Sequence, residues 1–143
     1  MHLQGRTAYR AGKTISDGRI VTALLQDIRL LLVEDEFLIL ADLQAVFEDE
    51  GARVITATTV CEGLSAAEGG FDAAVLDVRL PDGEVCPVAE RLAARSVPLV
   101  FHSGHARTSE IDARFPGAVM LSKPAGDWML IDAVRRQVGE GGT

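Results

Sequence analysis

Five short apolar runs alternate with segments of helical hydrophobic spacing, and each run closes on polar or charged residues. That alternation leaves few folds open to the chain. The most informative run is Ala74-Val75-Leu76-Asp77-Val78-Arg79-Leu80-Pro81-Asp82-Gly83. It stays apolar up to Asp77 and then breaks into a Pro-Asp-Gly turn. That pattern reads as a buried strand delivering one carboxylate to the rim of a sheet. Taken alone, an acid in that place serves equally well as a solvated strand end or as a reactive group.

The other runs give it context. Residues 28–33, interrupted only by Arg29, form a first strand that ends in Glu34-Asp35-Glu36. Residues 53–57 form the second and 73–76 the third. The fourth, 97–101, ends at His102-Ser103-Gly104-His105, and the fifth, 118–121, at Ser122-Lys123-Pro124. Helices are expected over 37–50, 58–68, 86–95 and 127–138, with a weaker one at 108–114; Pro87 is tolerated in a first turn. In the first helix Ile39, Leu43 and Val46 make the core stripe and Gly51 ends it. Phe37 and Leu40 then point away, as a docking patch beside the acids. In the last helix Trp128, Ile131, Val134 and Val138 share a face.

Short, wholly apolar strands suit a parallel sheet covered on both faces. Right-handed crossovers make it a doubly wound, five-stranded, three-layer α/β/α sandwich. The 143 residues suit one domain, and 48% hydrophobic content argues against global disorder. A net charge of −7 argues against nucleic acid as a partner. No apolar run approaches the roughly 18 residues of a membrane span, and no signal peptide is recognisable. Cys61 and Cys86 have neither CxxC spacing nor neighbouring histidines, which fits reduced thiols in a cytoplasmic protein. Residues 1–27 read as an extension, either mobile or carrying a short helix from Ser16 or Asp17 to Gln26. The domain is expected over 28–139, with a tail at 140–143.

In a parallel sheet all carboxyl ends of the strands open on one edge. That edge would collect Glu34, Asp35, Asp77, Ser103 and Lys123. Three carboxylates close together repel, and a divalent cation relieves the repulsion. An oxygen-only donor set without a Cys/His cluster points to Mg²⁺. The Asp77 carboxylate can attack phosphorus and become an acyl phosphate. Lys123 and the cation would neutralise the phosphoryl oxygens, and the Ser103 hydroxyl would donate to one of them.

Glu34-Asp35, Asp77 in its LDVRLPDG setting, Ser103 and Lys123-Pro124 together resemble the receiver domain of two-component response regulators. The resemblance spans about residues 28–138, in order and spacing. It implies a flavodoxin-like fold, with Glu34 and Asp35 helping to hold Mg²⁺ and a backbone carbonyl of Arg79 as a further ligand. It implies that Asp77 accepts phosphoryl from a sensor histidine kinase or phosphotransfer protein, and that Ser103 and Lys123 sense it. It also implies a cis Lys123–Pro124 bond. The segments around Phe101-His102-Ser103-Gly104 and Val85-Cys86-Pro87 resemble stand-alone receivers of α-proteobacterial stress signalling. With only five residues after Val138, output is expected through contact with a downstream protein target, and a homodimer is left open. The expected readout surface is the fourth helix, fifth strand and last helix.

Two departures accompany the resemblance. Met120 stands where many receivers carry a switching aromatic, and it reads as sheet packing. Arg79 and His105 occupy positions that tune phosphate lifetime in the family, although Arg79 could instead pair with Asp82 or Glu84. Two other readings fit the residues: a Mg²⁺-dependent aspartyl phosphohydrolase, and a pseudo-receiver that binds partners unphosphorylated. The first lacks the usual acid two residues after the nucleophile, where Arg79 stands. Against the second stands the complete set of acids, hydroxyl and lysine.

Overall fold

The computed structural model describes residues 8–10, 13–16, 19–104 and 108–141, and side-chain surroundings over 23–104 and 109–139. Three short strands, β1 (Ala8–Arg10), β2 (Lys13–Ser16) and β3 (Arg19–Thr22), pair antiparallel in that order. The helix considered for Ser16 to Gln26 is therefore replaced by β3 and a turn. β-Branched Ile20, Val21 and Thr22 prefer the extended chain, and Gly18 disfavours a helix.

The main unit alternates strand and helix: β4 (Arg29–Val33), α1 (Phe37–Asp49), β5 (Arg53–Ala57), α2 (Val60–Ala66) and β6 (Ala73–Leu76). A small antiparallel hairpin follows, β7 (Arg79–Leu80) and β8 (Gly83–Glu84). Then come α3 (Cys86–Ala94), β9 (Leu99–Ser103), α4 (Thr108–Arg114), β10 (Val119–Ser122) and α5 (Asp127–Gly141). β4, β5, β6, β9 and β10 form one wholly parallel sheet in the order β10-β9-β6-β4-β5. The chain steps outward from β4 to β5 and then returns to β4's other side with β6. The strand order reverses there, so the crevice at the carboxyl ends of β4 and β6 is where an open α/β sheet takes a ligand.

Successive residues of each strand face opposite layers. Leu31, Val33, Leu76 and Phe101 pack with Val88 and Leu92 of α3 and with Ile111 and Phe115 at α4. Leu30, Leu32, Val75 and Val100 pack with Leu40, Leu43 and Phe47 of α1 and with Leu130, Ile131 and Val134 of α5. This is the three-layer flavodoxin-like sandwich expected from the alternation of runs.

Some details differ from expectation. The core stripe of α1 is Leu40, Leu43 and Phe47, with Ile39 and Val46 at its flanks. Leu40 therefore points inward, and the outward pair is Phe37 and Leu38, 75% and 81% exposed. Trp128 is 69% exposed, because the buried face of α5 begins at Leu130. β9 runs from Leu99 to Ser103 rather than over 97–101. Val97 N–H closes a turn on the Leu92 carbonyl and Pro98 has no N–H for the ladder, whereas His102 and Ser103 pair with Leu121 and Ser122.

The segment before β4 is part of the fold. Leu25 is 1% exposed and packs with Leu30 and Phe47. Its N–H donates to the Glu50 carbonyl at 2.9 Å, and Asp27 N–H donates to Gly51 carbonyl at the same distance. Gly51 has φ +95°, and a Cβ there would lie 2.9 Å from the Gln26 Cα. Glycine meets both demands, ending α1 and admitting the neighbouring backbone.

Candidate functional site

β4 and β6 are central and buried, so the first residues beyond them emerge side by side. Glu34 N–H still donates to the Ala57 carbonyl and Asp77 N–H to the Val33 carbonyl, which continues the ladder to the rim. Glu34, Asp35 and Asp77 each place a carboxylate oxygen within 4.8 Å of the others. Glu34 is 1% exposed and Asp77 6%; Asp35 is the more open of the three.

Lys123 reaches this cluster from the end of β10. Its Nζ lies 2.8 Å from Glu34 Oε1, 3.2 Å from Asp77 Oδ2 and 3.8 Å from Glu36 Oε1. Its backbone N–H donates to the Ser103 carbonyl at 2.9 Å, which ties the ends of β9 and β10 together. The Lys123–Pro124 peptide is cis, as the resemblance implied. Gly104 lies against the Lys123 stem, where an added Cβ would be 3.9 Å from Lys123 Cβ and Cδ.

Burial pushes the Glu34 carboxyl upward, against the opposing Lys123 ammonium and Glu36 N–H, while the Asp77 charge adds to the rise. Burial alone would lower Lys123, but its hydrogen bond to Glu34 and the two nearby carboxylates outweigh it and raise the ammonium above its ordinary value. The ammonium thus works against the rise that burial imposes on Glu34.

Asp35, Glu36, Asp77, Arg79, Leu80, Pro81, Gly104 and Lys123 line an open cleft of about 440 Å³. The structure brings Glu34, Asp35, Asp77 and Lys123 into one cluster, with Arg79 on the cleft wall. Ser103 is buried at the end of β9, on the strand beside Asp77's own. His105 lies outside the described residues. Met120 is partly buried, stands opposite Phe101 in the ladder and packs on the α3/α4 core, in keeping with sheet packing. An all-oxygen donor set fits Mg²⁺, and the cleft is open enough for retained waters. Glu34 already accepts from Lys123 and, through Oε2, from Glu36 N–H at 3.1 Å. Asp35 and Asp77 are therefore the freer donors to a cation.

Asp82 and His102 matter more than the sequence suggested. Asp82 caps α2 across 22 positions of sequence, receiving Val60 N–H at 2.7 Å. His102 is buried, and its Nε2 accepts from Ala125 N–H at 3.4 Å. Neither contact has a local signature; an Asp in a Pro-Asp-Gly turn looks like any turn residue.

No protein-family model matches the sequence, and no curated protein matches it either. Solved structures do. A response regulator receiver domain protein (CheY-like) of Methanospirillum hungatei JF-1 is 26% identical, with TM-score 0.74, covering 82% of this chain and 98% of that one. A response regulator receiver protein of Sinorhizobium medicae WSM419 is 24% identical, with TM-score 0.75 and the same coverage. The receiver domain of the sensor histidine kinase PA1611 of Pseudomonas aeruginosa PAO1 is 23% identical, with TM-score 0.70, covering 79% of this chain and 98% of that one; it holds a magnesium ion in its active-site cleft. Among the described residues no helix is long and apolar enough to cross a membrane. With its β5-β4-β6-β9-β10 strand order, its acid-and-lysine cleft at the strand reversal and these likenesses, the chain has the fold of response regulator receiver domains and is similar to them over about four fifths of its length.

Proposed function

We propose that Asp77 is the phosphoacceptor. The observation that carries this is Lys123 Nζ between Glu34 and Asp77, at 2.8 and 3.2 Å, above a cluster of three carboxylates. Asp77 is the member of that cluster at the end of the middle strand, opening on the cleft with Lys123 beside it. An Asp77 oxygen forms the new bond to phosphorus while the donor's phosphorus–nitrogen bond breaks. The phosphohistidine imidazole leaves with that electron pair and takes up a proton. Lys123 then turns its charge from Asp77 to the phosphoryl oxygens, and Ser103 donates its hydroxyl to one of them. Asp35, Asp77 and the Arg79 carbonyl, with Glu34 behind them, are the residues proposed to hold Mg²⁺. Bound there, the cation supplies positive charge for the phosphoryl oxygens.

The donor is a sensor histidine kinase or a phosphotransfer protein. The exposed Phe37–Leu38 pair beside the cleft is the proposed docking patch, a role first assigned to Phe37 and Leu40. A downstream protein target reads the phosphorylated form, in a cytoplasmic setting. The receiver unit is taken as residues 23–139, since Leu25 belongs to the core. Turnover of external phosphomonoesters is not expected, because no carboxylate stands two residues after Asp77 to act as acid and base.

Incubation with acetyl phosphate and Mg²⁺, followed by intact mass, is expected to show one added phosphoryl group. Asp77→Asn should show none. An Asp77→Asn protein that still gains the phosphoryl group would overturn the assignment.

A further inference from the structure

Between Asp77 and α3 the chain leaves the sheet as the β7–β8 hairpin. Its Arg79, Leu80 and Pro81 form one wall of the cleft. So small a hairpin is marginal by itself. Its base is closed by Val85 N–H on the Val78 carbonyl at 2.8 Å. Its tip is held from outside: Asp82 Oδ1 accepts from Val60 N–H at 2.7 Å and Oδ2 from Cys61 N–H at 3.1 Å. Those N–H groups belong to the first turn of α2, the helix that follows β5. Helix starts leave such donors without partners, and a carboxylate is well suited to them. α2 has its own cap as well, since Thr59 Oγ1 accepts from Glu62 N–H at 3.0 Å. The Asp82 contact therefore satisfies donors that the local cap does not reach, and in doing so binds the cleft wall to a rigid element.

We propose that Asp82 is a positioning residue for phosphoacceptance: by gripping α2 it fixes the Arg79–Pro81 wall relative to Asp77. The inference rests on the reading of Asp77 as acceptor and deepens it. Asp82 touches neither phosphoryl group nor cation. It acts through the backbone that carries Arg79.

Three variants separate positioning from plain stability. Asp82→Ala removes both acceptors. Val60→Pro removes the donor of the shorter bond at the first position of α2, where proline is tolerated. Thr59 before it is extended (φ −137°, ψ 165°), as a residue preceding proline must be. Thr59→Ala weakens the same helix start but leaves the Asp82 contact intact. Hydrogen exchange of the metal-free proteins would follow the Val85 amide, and acetyl phosphate labelling would be measured against Mg²⁺ concentration. Asp82→Ala and Val60→Pro are expected to speed Val85 exchange and to raise the Mg²⁺ needed for half-maximal labelling roughly tenfold, the scale seen when groups supporting metal ligands are removed. Thr59→Ala should do neither. Wild-type exchange and Mg²⁺ dependence in the first two variants, or an equal defect in Thr59→Ala, would overturn the proposal. Should Asp82→Ala not fold, Val60→Pro carries the comparison. If the wild type itself takes no phosphoryl group, the reading of Asp77 fails instead, and the metal-free exchange still decides the tether.

Discussion

His102 precedes Ser103 and is 5% exposed. Ala125 N–H donates to its Nε2 at 3.4 Å, so that nitrogen carries no proton and the neutral ring holds its hydrogen on Nδ1. The buried Nδ1 has no hydrogen-bond partner among the described residues. Burial, and then the Lys123 charge, lower its pKa below the ordinary 6.5, against a smaller opposing pull from Glu34. A base whose folded pKa is depressed binds protons more weakly in the native state than in the unfolded chain. Its contribution to stability is therefore full above 6.5 and is lost as pH falls from there toward the folded value. Denaturant unfolding of wild type and His102→Asn across about pH 5 to 8 should show the steeper acid loss in wild type. Equal slopes would remove His102 from that account. The acids of the cleft were legible in the sequence because each closes an apolar run. His102 was not, because its partner lies 23 residues away on the next strand's exit.

At the scale of the element, α1 separates two apolar roles that its sequence blurs. Phe37, Leu38, Ile39 and Leu40 are consecutive, so one turn of helix spreads them around the axis. Spacing alone allowed either Ile39/Leu43/Val46 or Leu40/Leu43/Phe47 to face the sheet. Packing against Leu30, Leu32 and α5 selects the second. Leu40→Ala should cost about 2–5 kcal/mol in urea unfolding, as expected for an emptied core position. Phe37→Ser with Leu38→Ser should stay within about 0.5 kcal/mol per site, as surface changes do. The same pair should slow phosphotransfer from a kinase or phosphotransfer protein while leaving acetyl phosphate labelling unchanged. Equal slowing with both donors would place Phe37 and Leu38 in the cleft's own chemistry and not in docking.

At the scale of the whole molecule, the packing around the parallel sheet takes in residues that precede β4. Leu25 fills the α1/α5 layer beside Phe47, and its turn is hydrogen-bonded to Glu50 and Gly51. Leu25→Ala should therefore destabilise by about 2–5 kcal/mol in urea unfolding. A value near zero would mean that the segment before β4 is only an appendage.

The alternation of the five sheet strands with helices, the sandwich, and the meeting of Glu34, Asp35, Asp77 and Lys123 were readable from residues 28–138 because they depend on local periodicity and on one geometric rule. Parallel strands bring their carboxyl ends to one edge, so any reactive residue that closes a strand must meet the others there. Tertiary structure alone decided which face of α1 is buried, that Trp128 is exposed, that Leu25 is core, and that Asp82 grips a helix 21 and 22 positions earlier. Those outcomes turn on contacts between segments distant in the chain. Hydrophobic spacing records only which residues can be buried, and the packing of neighbouring layers selects which of them are.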